Sequence, residues 1–331
     1  MQRLRNNDKC WCGSGAKYKR CHGDVRKLQR PPVELGRVAP ERQVPEHIER
    51  PDYVTVGSVT TPTGPQIHDE ESLGRMREAC AVAAEVLLRA GAAVAEGATT
   101  DDIDAVAHEA YLDLGAYPST LHYGGSCDYP KSICTSVNGV VCHGIPDDRP
   151  LQGGDIVNVD VTAYYRGMHG DTSATFCVGE VDDATRGLVE TTREATLRGI
   201  AAVSPGEPLR RIAEAIEPFA ASRGYGVVRE YGGHGIGASF HAAPHINHCI
   251  TSSDTMPFEV GMTFTVEPML TTGSGGYRQA PDGWTEHLVD SMPTAQFEHT
   301  VLVTPGGREI LTVTGDGASA AGTLADLGAT V

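Results

Sequence analysis

The 331-residue sequence predicts an α+β domain built from two pseudo-twofold halves, preceded by a small cysteine-rich module and a proline-rich extended segment. Three observations carry that prediction. Two amphipathic helical patterns followed by a pair of strand-like apolar runs occur twice along the chain, without obvious residue identity between the repeats. Each strand pair carries acidic residues in otherwise apolar surroundings. A glycine- and histidine-rich stretch, YGGHGIGASFHAAPHINH, lies between the halves.

Charge and cysteine usage narrow the class. The formal net charge is -16, which excludes a surface devoted to nucleic acid and argues against DNA as a partner. Residues 1–30 nevertheless carry nine Lys/Arg against Asp8 and Asp24, so a basic arm sits on an acidic body and suits a polyanionic partner such as ribosomal RNA. Nine cysteines, three of them in the first 21 residues, do not suggest a disulfide framework. The start MQRLRNNDKC has no apolar core, and no run approaches the ~20 apolar residues of a membrane span. The expectation is a cytoplasmic protein with reduced thiols and no membrane partner.

The elements follow in chain order. Residues 1–30 contain CWCGSGAKYKRCH, in which Cys10, Cys12, Cys21 and His22 offer four soft ligands for one tetrahedral zinc, and Gly13 and Gly15 allow the turn between them. The spacing resembles the SEC-C motif, which implies a docking element with its structural zinc fully enclosed by protein. Residues 31–70 hold seven prolines and no apolar period, which predicts an extended linker or strap. Its Pro62 and Pro65 form only a nominal PxxP.

From Glu71, the residues Leu73, Met76, Cys80, Ala83 and Leu87 recur at helical spacing up to Gly91. A second helix is capped by Thr99 or Thr100, buries Ile103, Val106, Ala110 and Leu114, and stops at Gly115. Asp160 stands at the end of an apolar run from Ile156, and Asp171 opens another to Val178, so a hairpin can bring two carboxylates together. Like charges side by side repel, and a shared proton or cation relieves them. Two solvated acids beside a turn would look the same.

In the second half, Asp182–Val203 and Pro208–Arg223 read as helices, with Leu209, Ile212 and Ile216 inward. Pro208 suits a first helical position, and Pro218 predicts a kink or an early end. Strand-like runs at Met262–Leu270 and Gln296–Val303 contain Glu267 and Glu298, carboxylates that are costly in an apolar strand unless paired or metal-bound. Residues 71–313 form the predicted catalytic domain, and 314–331, rich in Ala, Gly and Thr, a flexible tail.

The stretches VCHGIPDDRPLQGGDIVNVDV, HGDTSATF, GGHGIG, VEPM and QFEHTV resemble the signatures of type I methionine aminopeptidases from about Glu71 to Thr312. The resemblance implies the pita-bread fold and five metal ligands: Asp160, Asp171, His234, Glu267 and Glu298. Four carboxylates carry a charge that two divalent cations neutralise; Mn, Fe, Co and Zn all suit such ligands, and a cation pair activates water as hydroxide. By resemblance Asp171 and Glu298 bridge the cations, Asp160 holds one, and His234 with Glu267 holds the other. Glu267 is also the implied proton shuttle, His241 the contact to the scissile carbonyl, and His143 the contact near the leaving nitrogen. The implied methionine slot is Tyr129, Cys134, Phe240 and Trp284, with His143 at its edge and a small second residue required.

Two departures stand out. GGSCDYPKS is longer by about two residues than the family pattern, leaving the roles of Tyr123 and Cys127 open, and NGV replaces a more polar tripeptide. The implied substrates are N-terminal Met peptides of nascent chains, with ribosome docking through the basic zinc module. The competing readings are a prolidase or aminopeptidase P, which uses the same ligand types, and a non-catalytic pita-bread protein binding RNA or ribosomes. The first should carry a larger folded N-terminal domain, and the second should have lost ligands.

Overall fold

A computed structural model describes residues 5–10, 15–21, 33–124, 127–252 and 254–328. After a short helix, α1 (Asp52–Val56), the first long helix α2 (Glu70–Ala92) starts where the Asp69 side chain accepts from the Ser72 N–H. Its buried face includes Leu73, Met76, Cys80, Ala83 and Leu87, as their spacing predicts. Helix α3 (Thr100–Asp113) begins at Thr99, which forms a capping box with Asp102. Its inner face holds Ile103, Ala107, Ala110 and Tyr111, and Val106 is exposed, contrary to expectation. Asp104 and His108 are buried against the proline-rich strap, which rotates the covered face away from Val106.

Strands β1 (Cys134–Val137), β2 (Ile156–Tyr165) and β3 (Met168–Cys177) follow. The hairpin β2–β3 turns at Arg166 and Gly167, with φ of 52° and 77°, the two-residue turn whose twist matches its strands. The strands are longer than the apolar runs suggest, because Tyr164 pairs with His169 and Tyr165 with Met168. Asp160 and Asp171 therefore lie inside strands rather than at their ends.

Helix α4 (Asp183–Ala201) is capped by Asp182, and α5 (Arg210–Arg223) packs beside it. Pro208 stops short of the helix and bridges Pro257, and α5 runs through Pro218 to Arg223, so the helix does not end early there. Buried Ile212, Ile216, Phe219 and Ala220 flank Pro218, so tertiary packing outweighs one lost hydrogen bond.

Strands β4 (Gly233–Gly235), β5 (Ala242–Ile246), β6 (Thr263–Val266) and β7 (Glu298–Thr304) complete the main sheet. Its nine strands are antiparallel, with Tyr117–Pro118, β2, β3, β7, β6, β4 and β5 side by side, β1 on β2 and Gly307–Ile310 on β7. The halves meet where β3 pairs β7, with Glu298 opposite Ser173. The expected run Met262–Leu270 breaks at Glu267–Pro268, and Gln296–Val303 breaks at Phe297. Both chains leave the large sheet there and join a three-stranded one, Thr294–Gln296, Met269–Thr271 and Gly226–Val227. Pro268 has no N–H for a ladder, so the corner falls beside Glu267.

Helix α2 lies directly on the hairpin. A Cβ at Gly170 would stand 2.5 Å from the Cys80 nitrogen, so only glycine admits this approach next to Asp171. Val157, Val159 and Val161 face the core, which leaves Asn158, Asp160 and Thr162 on the opposite face of β2.

Apart from α1, residues 33–68 are extended but not a free linker. The Gly36 N–H donates to Asp147, Arg42 pairs with Asp101 and Asp104, Ile48 is buried beside Tyr117, Leu121 and Tyr164, and Ile67 bridges Met262. The loose tail is corrected as well, since in residues 315–328 Ala321 is fully buried, Leu324 nearly so, and the Gly322 carbonyl accepts from His299 Nε2 at 2.8 Å. In the N-terminal module Cys10 and Tyr18 are buried, and the Tyr18 hydroxyl donates to the Gly224 carbonyl at the end of α5. Cys12 and His22 lie outside the described residues. Among the described residues no helix is long and apolar enough to cross a membrane.

Candidate active site

Strand register assembles the acids. Asp160 and Glu298 both lie opposite Ser173, across β2, β3 and β7, and Asp171 sits opposite Thr162, two residues along the same face. His234 arrives on β4, its N–H donating to Thr265 Oγ1, and Glu267 arrives at the corner after β6. Asp171, His234 and Glu298 offer ligand atoms that lie within 4.8 Å of one another. His234 Nε2 is 3.7 Å from Asp171 Oδ2 and equally far from Glu267 Oε1.

Neighbouring groups orient each ligand. His234 Nδ1–H donates to the Gly235 carbonyl at 3.2 Å, which leaves the Nε2 lone pair facing the acids. Thr162 donates to Asp171 at 2.8 Å. Thr265 and Gln296 donate to the two oxygens of Glu267 at 2.6 and 3.1 Å, and the Glu267 N–H donates to His248 Nε2. Thr265, Gln296 and His248 thus hold the shuttle candidate from three sides.

Burial sets the electrostatics. Loss of water pushes Asp160 up to about 7 and Glu267 up to about 8, and raises Asp171 and Glu298 strongly, with the neighbouring acids adding to the last two. The same burial lowers His143 and His234 to about 4 and His241 further, so all three imidazoles are neutral at neutral pH. No Lys or Arg is among the described residues lining this cavity. Three buried acids and the half-buried Asp160, the neutral His234 with its Nε2 lone pair inward, and no Lys or Arg among the described lining residues fit a pair of divalent metal ions.

The cavity has a volume of about 370 Å³ and brings together every expected site residue outside the N-terminal module: all five ligands, His143, His241, Tyr129, Cys134, Phe240 and Trp284. Tyr129 and Trp284 meet edge to face at 5.3 Å, and the Tyr129 hydroxyl is anchored on the Gly144 carbonyl at 2.8 Å. His143 stands against both Trp284 and Tyr231 with φ +55°. Cys142, Tyr231, Met269 and Gln296 also line the cavity, though sequence reasoning did not name them. Their signal was position, inside VCHG, YGGHG, VEPM and QFEHTV. Gly124 and Asp128 pair across the longer loop, and the Tyr129 N–H donates to the Tyr123 carbonyl, so the extra residues leave both tyrosines in the cavity wall. Cys127 is exposed and does not line it.

The chain matches the profile of metallopeptidase family M24 over residues 74–305 and that of the SEC-C motif over residues 7–24. It is 50% identical over 277 residues to methionine aminopeptidase 2 of Mycobacterium tuberculosis, covering 84% of this chain and 96% of that protein. It is 49% identical over 276 residues to the mitochondrial methionine aminopeptidase 1D of Danio rerio, covering 83% and 80%. The crystal structure of methionine aminopeptidase from Rickettsia prowazekii superposes with a TM-score of 0.73 at 42% identity, covering 76% of this chain and 100% of that one. A prolidase from Pyrococcus horikoshii, at 21% identity and a TM-score of 0.60 over 76% of this chain and 64% of that one, shares the fold alone. The architecture is the pita-bread fold that the sequence motifs implied.

Proposed function

The chain belongs to metallopeptidase family M24 and within it to the type I methionine aminopeptidases, and on that premise we propose how its residues do the work. It is a metal-dependent hydrolase that removes the initiator methionine. The observation that carries the finer reading is the single cavity whose one wall is acidic and whose other wall is aromatic and sulfur-bearing.

In this reading Asp160, Asp171, His234, Glu267 and Glu298 hold two divalent cations. When bound, these supply Lewis acidity that activates water and polarises the scissile carbonyl. Tyr129, Cys134, Phe240 and Trp284 hold the methionine side chain, for which soft, polarisable contacts are well suited. His143 binds the substrate backbone near the leaving nitrogen, and neutral His241 donates to the scissile carbonyl. Glu267, fixed at both oxygens, takes a proton from the attacking water and gives it to the leaving amine. A shallow space beyond the scissile bond restricts the second residue to small side chains. Metal-loaded protein should release methionine from Met-Ala-Ser at least about a hundredfold faster than it cleaves Ala-Pro or Met-Trp-Ser, with an apolar slot and a shallow neighbour deciding the difference. Equal rates on these peptides would sink the pocket reading.

Residues 71–313 are the catalytic unit in this account. Cys10, Cys12, Cys21 and His22 hold one structural zinc, and the basic module carrying them docks the enzyme to ribosomes in the cytoplasm, where nascent chains emerge. Support comes from the SEC-C match and from the basic charge of residues 1–30. Deleting residues 1–30 should abolish ribosome co-sedimentation and leave Met-Ala-Ser turnover within about twofold. Unchanged co-sedimentation would remove the docking role.

A further inference from the structure

One side chain in the cavity wall is tied to a histidine of the site by a contact that the catalytic reading above does not use. Tyr123 Oη lies 2.8 Å from His241 Nδ1. Its phenol is pushed up to about 12 by burial and so keeps its proton at neutral pH. Behind it stands Tyr53, contributed by α1 in the proline-rich strap, edge to face on Tyr123 at 5.2 Å with an interplanar angle of 87°. The Tyr53 hydroxyl donates to the Ser119 carbonyl, and Ser119 Oγ is bonded to His169 Nδ1 at 2.8 Å. His169 stacks on Phe240 at 5.5 Å, and Phe240 stacks on His241 at 4.2 Å. The strap therefore reaches His241 by two routes, through Tyr123 and through the Ser119–His169–Phe240 stack.

A second observation shows why such bracing is needed. A separate cavity of about 380 Å³ lies between the strap and the catalytic body and is lined by Tyr53, Tyr123, His169, Phe240 and His241. His241 thus stands between two cavities, with its ring packed against Phe240 at 4.2 Å and His234 at 4.1 Å. Ring packing does not discriminate between the two protonation sites of an imidazole, so the hydrogen bond at Nδ1 decides which nitrogen carries the proton.

We propose that Tyr123 is a positioning residue which donates to His241 Nδ1, holding the imidazole in its Nε2–H tautomer, and that Tyr53 of the strap braces Tyr123 in that pose. Nε2–H is then the one polar hydrogen the ring presents to the scissile carbonyl, and the strap becomes part of the active-site wall. The inference rests on the proposed role of His241 as the carbonyl donor.

Nitrogen NMR of histidine-labelled, zinc-loaded full-length protein reads the tautomer directly, with His241→Asn supplying the assignment. The expected result is an unprotonated Nδ1 on His241 in the wild type and a mixture of tautomers in Tyr123→Phe. Tyr123→Phe should lower kcat on Met-Ala-Ser about ten- to a hundredfold with KM within about twofold. Tyr53→Ala should follow it, whereas Tyr53→Phe, which keeps the ring, should restore turnover to within about threefold of wild type. A protonated Nδ1 in the wild type, or Tyr123→Phe with wild-type spectra and kcat, overturns the inference. Wild-type turnover in His241→Asn would instead overturn the catalytic role of His241, a result separable from the tautomer reading because the spectra are taken without substrate.

Discussion

At the scale of single residues, the site is three buried acids and the half-buried Asp160, whose mutual repulsion needs an external cation. Asp160 and Glu267 are raised to about 7 and 8, from ordinary values near 4. In metal-free protein these acids bind more protons folded than unfolded between roughly pH 4 and 8, whereas buried histidines such as His143 and His234, lowered to about 4, bind fewer below roughly pH 6.5. Above roughly pH 6.5 the histidines are neutral in both states, so the acids decide the sign and stability falls as pH rises from there to about 8. Metal-free protein should lose roughly 5 °C of Tm between about pH 7 and pH 8, while metal-loaded protein loses far less, since bound cations take the place of the protons. Calorimetry across that range decides it. A metal-free Tm that rises with pH would mean that the acids are not buried together.

The acids were legible in the sequence because strand parity and burial make them conspicuous. Asp160 alternates with core-facing Val159 and Val161, and Glu267 and Glu298 interrupt apolar runs. Cys142 and Met269 were not legible as pocket walls, because an apolar side chain in an apolar run has the same signature whether it faces a core or a cavity. Val106 misled for a related reason: the helical period shows that a face exists, whereas the polar partners of Asp104 and His108 decide how it is turned.

At the scale of elements, the strap and the tail show what a pattern search misses. Neither has an apolar period, yet both are pinned to the body by contacts between residues far apart in the chain. Arg42 pairs with Asp101 and with Asp104, whose side chain is 0% exposed, and Asp104 also accepts from the Ser132 and Ile133 N–H groups that lead into the pocket segment. Lys131 completes the cluster on Asp101. Arg42→Ala would leave Asp104 buried without its partner and should destabilise the protein by about 2–3 kcal/mol, less than a fixed buried charge would lose, because Asp104 is already raised to about 6 and can take a proton. The surface pair Arg77–Glu309 is the control, and Arg77→Ala should change stability by less than about 1 kcal/mol. Equal effects in denaturant titrations would show that the strap is not clasped at Arg42. In the tail, small residues such as Ala321 pack closely where a compositional reading sees only Ala and Gly. At Pro218 the early helix end that a local rule allows yields to the packing of Ile216 and Phe219 on either side.

At the scale of the whole molecule, the two halves contribute unlike parts to one centre. The first half brings Asp160 and Asp171 on a hairpin, the second brings Glu267 and Glu298 at the corners of two bent strands, and the loop strand β4 between them brings His234. The repeat of helix pair and strand pair was visible in the sequence; the bend at Glu267–Pro268 and Phe297, which turns the acids inward, depends on a second sheet that no single run of residues reveals. The central claim is that this shared centre holds the cations that release methionine. The direct test is methionine release from Met-Ala-Ser by metal-stripped protein replenished with manganese, wild type beside Asp171→Asn, with circular dichroism to check the fold. Wild-type protein should regain activity in step with added metal, and the folded variant should remain at least about a hundredfold slower at every metal concentration; full turnover in Asp171→Asn, or in the metal-stripped wild type, would contradict it.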